Sequence, residues 1–122
     1  MGLRLEAVTQ HGRALRLLDR SQECLQVMAM GEDLLPRIQS SLPLQQANFL
    51  SQQGRCKRLS GERQEARELF ERSLQLRQAR KDSAGVAENL YDLALLNGDM
   101  GHPDDALASY DLALDHLHRF VG

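Results

Sequence analysis

The chain has 122 residues, of which 42% are hydrophobic and 26% are charged. That balance is typical of one compact soluble domain and is too apolar for a disordered chain. No apolar run approaches the length of a membrane span and no secretory signal opens the sequence, which predicts a cytoplasmic protein with no membrane partner. Two cysteines, Cys24 and Cys56, lack metal-ligand spacing and are interpreted as reduced, packed thiols.

The net charge of −2 conceals an uneven distribution along the chain. Residues 1–61 contain 8 Lys or Arg and 5 Asp or Glu, whereas residues 62–122 contain 7 and 12. After Lys81, Arg119 is the only basic residue among 8 acidic ones. A surface of that sign repels phosphate, which argues against nucleic acid as a partner, while the N-terminal half stays compatible with an acidic ligand.

Helix is the predicted secondary structure of nearly the whole chain. The β-branched residues are scarce, and apolar or small residues recur at spacings of three and four. Polar or glycine-containing breaks divide this pattern into six segments. The predicted helices are Leu3–Leu18, Gln22–Gln39, Leu44–Leu59, Glu62–Arg80, Ala84–Leu96 and Pro103–Phe120.

The sequence repeats at intervals of about 40 residues, which points to an architecture that composition alone cannot identify. A shift of 40 relates the second copy to the third, and a shift of 42 relates the N-terminal segment to the second copy. The matched pairs include Ala66 and Ala106, Phe70 and Tyr110, Leu74 and Leu114, Gly61 and Gly101, Gly12 and Gly54, and Met28 and Phe70. Small residues fall where two helices must approach closely and bulky residues where a gap must be filled, as in stacked helical hairpins.

The third copy, ENLYDLALLNGDMGHPDDALASYDLAL, resembles the tetratricopeptide repeat (TPR) family. The residues that carry the resemblance are Leu90, Ala94, Gly101, Ala106, Tyr110 and Ala113. It implies an all-α, right-handed α-solenoid of three hairpins and six helices, forming a single domain over residues 1–122. Repeats are expected at about 3–42, 44–82 and 84–122, the first degenerate because Asp19 replaces the turn glycine. The segment LQLRQARKDSAGVAENL is similar to the 40-residue-repeat subclass seen in signalling adaptors and bacterial regulators.

Motifs for catalysis or cofactor binding are absent from the sequence. It has no glycine-rich phosphate loop, no Gly-x-Ser-x-Gly elbow and no His-Glu-x-x-His pair. His116 and His118 stand two apart on a helix, on nearly opposite sides, and therefore cannot hold one metal ion. The Glu- and Arg-rich run GERQEARELFERSLQLRQAR is interpreted as a solvated helix face. The sequence therefore predicts a protein that is not an enzyme and that uses neither a cofactor nor a metal.

The resemblance also implies where a ligand binds, because in this family the first helix of each hairpin lines a concave groove. Arg13 and Arg16 in the first copy, and Arg55 and Arg58 in the second, occupy the same two groove positions. The candidate groove residues are Arg13, Arg16, Asn48, Ser51, Arg55, Arg58 and Tyr91. Because arginine donates paired hydrogen bonds to a carboxylate, the pattern predicts a module that binds an acidic or amphipathic peptide of a protein partner.

Two alternative functions stay open. The chain could be a sensory or regulatory segment of a larger signalling protein, or a secretion-type chaperone that holds an unfolded effector. The last predicted helix also offers apolar residues for burial, which are Leu107, Leu114, Leu117, Phe120 and Val121. They predict self-association, domain swapping or docking against further sequence through the C-terminal helix.

Overall fold

The computed structural model describes residues 5–33 and 43–121, apart from the side chains of residues 119–121. Within these ranges the chain forms six α-helices and no β-strand. The helices are α1 (Leu5–Leu17), α2 (Ser21–Glu32), α3 (Pro43–Leu59), α4 (Arg63–Ala79), α5 (Ser83–Asp99) and α6 (Pro103–Val121). They pair as three hairpins, α1 with α2, α3 with α4 and α5 with α6, which stack into a right-handed α-solenoid. The predicted fold class is confirmed.

Among the described residues, the helix boundaries lie within one residue of the predicted ones except at the ends of α2 and α5, and the predicted start at Leu3 lies outside the described residues. α5 continues to Asp99, beyond the predicted end at Leu96. The reason is that Asn97 is buried and its Oδ1 accepts a hydrogen bond of 2.8 Å from Arg67, which holds this polar residue in the helix. α2 ends at Glu32, and the rest of its predicted range, residues 34–39, lies outside the described residues.

The turn inside each hairpin confirms the register of the repeat. Asp19, Gly61 and Gly101 all adopt left-handed backbone, with φ of 60°, 82° and 75°. The amide that follows each of them donates back to the last helical turn, as from Glu62 to the carbonyl of Lys57 at 2.9 Å. An aspartate tolerates this conformation better than most residues do. The degenerate first copy therefore keeps the turn of the other two without its glycine.

Small residues let the two helices of a hairpin approach closely, as the repeat predicts. Ala66, Ala94 and Ala106 are buried, and Gly54 is buried against the ring of Phe70. The same arrangement recurs in the first hairpin, where Gly12 packs against Met28 and Met28 stands at the position equivalent to Phe70. One packing rule therefore builds both hairpins.

The hairpins stack because the first helix of each one packs on the second helix of the one before. Phe49 of α3 packs against Gly31 of α2, and Leu93 and Leu96 of α5 form a cluster with Phe70 of α4. This stacking places α1, α3 and α5 side by side along one surface of the solenoid. That surface carries most of the predicted site.

Cys24 and Cys56, interpreted from the sequence as reduced, packed thiols, lie against each other in the structure, at positions that a disulfide can bridge. Packing of α3 on α2 brings their Cα atoms to 5.9 Å, within the ordinary disulfide range. The spacing of the two cysteines in the sequence carries no information about this contact. None of the described helices is long and apolar enough to cross a bilayer.

Replacing Gly54 with Ala is expected to destabilise the protein by about 1–3 kcal/mol. A Cβ atom at this position would lie 2.6 Å from Cε1 of Phe70, a ring that is fully buried and has no room to move. This clash outweighs the gain of up to about 1 kcal/mol that Ala brings to a helix interior. Gly98→Ala is the matched control, because a Cβ there meets nothing within 4 Å and its unfolding midpoint should stay or rise. Urea unfolding followed by circular dichroism compares the two, and equal stability would contradict the assigned packing.

Candidate functional site

A continuous groove runs across α1, α3 and α5 and consists of two adjoining clefts. The first cleft has a volume of about 340 Å³ and the second about 270 Å³. The first is lined by Thr9, Gln10, Arg13, Arg16, Asn48, Gln52, Arg55, Arg77 and Glu88. The second is lined by Arg16, Arg55, Arg58, Leu59, Glu88, Tyr91, Asp92 and Leu95. Arg16, Arg55 and Glu88 belong to both, so the clefts form one surface, which we call the groove.

Six of the seven predicted site residues line the groove, and Ser51 does not. The six are Arg13, Arg16, Asn48, Arg55, Arg58 and Tyr91. Ser51 is only 1% exposed, and its hydroxyl lies beneath the groove floor, within hydrogen-bonding distance of Ser73 and Asn89. Its predicted role as a ligand contact is therefore replaced by a structural one.

Arg77 reaches the groove from α4, although the sequence pattern does not predict it as a site residue. The charged run that contains it predicts a solvated helix face, yet Arg77 is only 3% exposed. Its guanidinium donates to Asn48 Oδ1 at 2.7 Å and to the carbonyl of Gly85 at 3.0 Å, and its Nε is buried with no partner among the described residues. Burial lowers the pKa of Arg77 from its usual value. The repeat could have indicated that this position faces another helix, because the equivalent residue of the third copy is the apolar Leu117.

A chain of buried hydrogen bonds fixes the groove floor. Arg77 Nη1 donates to Asn89 Oδ1 at 3.2 Å, and Asn89 Nδ2 donates to Ser51 Oγ at 2.9 Å. Ser51 Oγ lies 2.9 Å from Ser73 Oγ, which donates to the carbonyl of Ala47 at 2.9 Å. With Ser51 donating to Ser73 and Ser73 donating to Ala47, each of the two hydroxyl groups donates one hydrogen bond. The chain ties α3, α4 and α5 together and holds Arg77 in place.

The second-copy arginines are already paired with carboxylates of the third copy. Arg55 donates to both oxygens of Asp92 at 2.9 Å and to Glu88 at 2.5 Å, and Arg58 donates to Asp99 at 2.5 and 3.1 Å. Burial opposes the charge of Arg55, but the hydrogen bonds to Asp92 and Glu88 outweigh it and raise the pKa of this guanidinium. Burial likewise opposes the charge of Glu88, and Arg55 outweighs it and lowers the pKa of that carboxyl. These arginines therefore bridge two repeats.

Arg16 of the first copy hydrogen-bonds a neutral amide, whereas Arg55 of the second copy hydrogen-bonds carboxylates. A shift of 40 carries Asn48 and Gln52 of α3 onto Glu88 and Asp92 of α5. We call the contact between α1 and α3 the first junction and the contact between α3 and α5 the second junction. At the first junction Arg16 Nε donates to Gln52 Oε1, a neutral acceptor, at 3.2 Å. Burial lowers the pKa of Arg16, and repulsion by Arg55 lowers it further. The groove therefore has a more basic end at α1, and an end at α5 where the arginines are paired with carboxylates.

A family model described as tetratricopeptide repeat matches residues 45–117, more than half of the chain. The chain belongs to the tetratricopeptide repeat family. The crystal structure of the TPR domain of Arabidopsis FLU superposes with a TM-score of 0.80 at 15% sequence identity, covering 94% of this chain and 95% of that one. At that identity the likeness concerns the fold alone. A comparison with curated proteins found no match.

The TPR fold makes the chain a module for protein–protein interaction, of a kind that is generally a non-catalytic scaffold. Its described side chains hold no cluster of three or more His, Cys, Asp or Glu suited to a metal ion. The chemistry that the groove offers is hydrogen bonding and charge pairing by guanidinium and amide groups.

Replacing Arg55 with Ala is expected to cost about 2–4 kcal/mol of stability at neutral pH, because Asp92 would be left buried without its partner. Burial raises the pKa of Asp92, and removal of Arg55 takes away the main interaction that opposes this effect. A carboxyl whose pKa is raised by folding destabilises the protein as pH rises through its unfolded value, so the cost should shrink as pH falls toward that value. Arg58→Ala is the matched control, since Asp99 is partly exposed and the pair is worth about 0–1 kcal/mol. Urea unfolding at two pH values measures both, and equal costs would contradict the bridging role of Arg55.

Proposed function

We propose that this protein is a non-catalytic interaction module that binds an acidic or amphipathic peptide segment of a protein partner in the groove. The carboxylates of the peptide pair with Arg13 and Arg16 at the α1 end. One observation carries this assignment: Arg16 of the first copy donates to the neutral amide of Gln52, whereas Arg55 of the second copy donates to the carboxylates of Glu88 and Asp92. An incoming acidic side chain supplies at the first junction the charge that Glu88 and Asp92 supply at the second.

The electrostatics of the α1 end favour an anion over a neutral ligand. Arg13, Arg16 and Arg77 line one cleft together with Arg55, and among the described residues Glu88 is the one carboxylate in its lining. Burial and mutual repulsion both work against the charge of Arg16. A bound carboxylate relieves that repulsion and accepts paired hydrogen bonds, which a planar guanidinium donates better than an ammonium does.

The far end of the groove favours apolar side chains and so gives the peptide a direction. There the lining includes Leu59, Tyr91 and Leu95, and Tyr91 is half exposed, with its ring edge-on to Tyr110 at 5.2 Å between centroids. Arg55 and Arg58 lie between the two ends and are held by their own carboxylates. The peptide therefore places its acidic residues over α1 and its apolar residues over α5.

The same charge distribution argues for a protein partner and against nucleic acid. A phosphate backbone laid along the groove would pass Glu88, Asp92 and Asp99, which repel it. An acidic peptide with apolar residues at one end avoids this repulsion. Absence of catalysis, a cytoplasmic location and independence from cofactors complete the proposal.

Arg13→Gln/Arg16→Gln is expected to weaken binding of a fluorescein-labelled peptide of alternating Glu and Leu by about ten- to hundred-fold. The reason is that two guanidinium partners are lost while the helix and its packing are kept. Fluorescence anisotropy measures the affinity, which should also fall as salt is raised. Arg72→Gln is the matched control, because Arg72 is an exposed arginine of α4 that does not line either cleft.

A second variant tests the charge argument without removing an arginine. Gln52→Asp gives the first junction the carboxylate that Asp92 provides at the second, so the acidic peptide should bind at least several-fold more weakly. The same peptide with Lys in place of Glu should not bind the wild type. Equal affinity of wild type, Arg13→Gln/Arg16→Gln and Gln52→Asp for the acidic peptide would overturn the proposal.

A further inference from the structure

The last helix carries a row of apolar side chains on its outer face. They are Leu107, Tyr110, Leu114 and Leu117, which we call the α6 stripe. Leu107, Leu114 and Leu117 are 61%, 54% and 41% exposed, and Tyr110 lies between them, partly buried. Their spacing of three, four and three residues aligns them along one side of the helix. Phe120 and Val121, which the sequence analysis grouped with them, have side chains outside the described part of the chain.

The residues of the α6 stripe are the repeat equivalents of the α4 residues that pack against α5, the first helix of the next hairpin. A shift of 40 carries it onto Arg67, Phe70, Leu74 and Arg77 of α4. In the structure Phe70 packs against Leu93, and Leu74 packs against Leu90, both on α5. The stripe is therefore a surface for docking the first helix of another hairpin.

The complementary surface lies on and just after α1. Ala7, His11, Ala14 and Leu18 are all exposed and share one side of the helix, which we call the α1 face. A shift of 42 carries them onto Phe49, Gln53, Cys56 and Ser60. Phe49 packs against Gly31 of α2, and Gln53 donates to Glu32 of the same helix. The α1 face is thus the surface with which α3 docks onto the hairpin before it.

We propose that the α6 stripe of one molecule docks the α1 face of a second copy of this chain, head to tail. The new junction continues the two that exist inside the molecule. The two facing residues change from polar to apolar together. Between α4 and α5 Arg77 pairs with Asn89, whereas between α6 and the α1 of the second copy the repeat places Leu117 opposite Ala7. Large leucines against small alanines reproduce the packing of bulky on small side chains that builds the hairpins.

Charge disfavours the antiparallel alternative, in which two α6 stripes pair with each other. Asp104, Asp111 and Asp115 are exposed along one edge of the stripe. In an antiparallel α6-to-α6 pair the two edges lie side by side, so six carboxylates would repel one another. A head-to-tail contact avoids this and, because it uses different surfaces on the two copies, does not close at a dimer.

Sedimentation velocity over roughly a hundred-fold range of concentration should show the wild type growing beyond a dimer. Leu114→Glu blocks the stripe and Ala14→Glu blocks the α1 face, and each variant alone should stay monomeric, because a charge would be buried in the contact. Mixed together they should form one-to-one dimers and nothing larger, since each keeps one intact surface. Leu112→Glu is the matched control, because Leu112 is an exposed leucine of α6 outside the stripe, and this variant should assemble as the wild type does.

Circular dichroism spectra of all variants should match the wild type, because every substituted residue is exposed, and Ala7→Glu repeats the test on the α1 face. A wild type that stays monomeric throughout overturns the proposal and leaves the stripe to a helix of another protein. Assembly that is lost in Leu114→Glu but kept in Ala14→Glu and Ala7→Glu also overturns it, because the stripe would then pair with some surface other than α1. None of these outcomes depends on peptide binding in the groove.

Discussion

The buried guanidinium of Arg77 is the constraint on which the rest of the site depends. It sits in α4, yet its hydrogen bonds go to Asn48 of α3 and to Gly85 and Asn89 of α5. A charge in this position is tolerable only if several acceptors surround it, which requires the three helices to hold one fixed arrangement. The fixed floor sets the spacing of the side chains that stand above it.

Two electrostatically different junctions result from one repeated geometry. The arginines recur at 42 residues, but the partners presented by the next repeat change from Asn48 and Gln52 to Glu88 and Asp92. At the later junction the charges satisfy each other and hold the repeats together where apolar contact between α3 and α5 is sparse. At the earlier junction the backbone is equivalent, but Arg16 donates to the neutral amide of Gln52, which does not balance its positive charge. In a solenoid, arginines at equivalent positions about 40 residues apart can therefore have different roles: one pair joins two repeats, and in our proposal the other binds a ligand.

The ends of the stack obey the same packing rule as its interior. Each hairpin buries one face against the hairpin before it and offers another to the one after it. In the head-to-tail assembly that we propose, the outward faces of α1 and α6 would repeat the junctions that stack the hairpins within one molecule. Replacement of arginine by leucine on α6 makes this terminal face more apolar than the equivalent face of α4.

The sequence by itself determined the six helices, their pairing, the close contacts at Gly54 and Ala66, and the turn at Asp19, because all of these depend on local periodicity and on a repeat that is written along the chain. It also placed six of the seven predicted residues in the groove, since the face of a helix follows from its 3.6-residue period. Tertiary structure alone decided the contact between Cys24 and Cys56, the burial of Ser51 and the pairing of the second-copy arginines. Each of those contacts joins side chains on different helices, at distances along the chain that no local pattern encodes. Whether an arginine is free for a ligand depends on what the neighbouring repeat presents to it, and only the packed solenoid answers that.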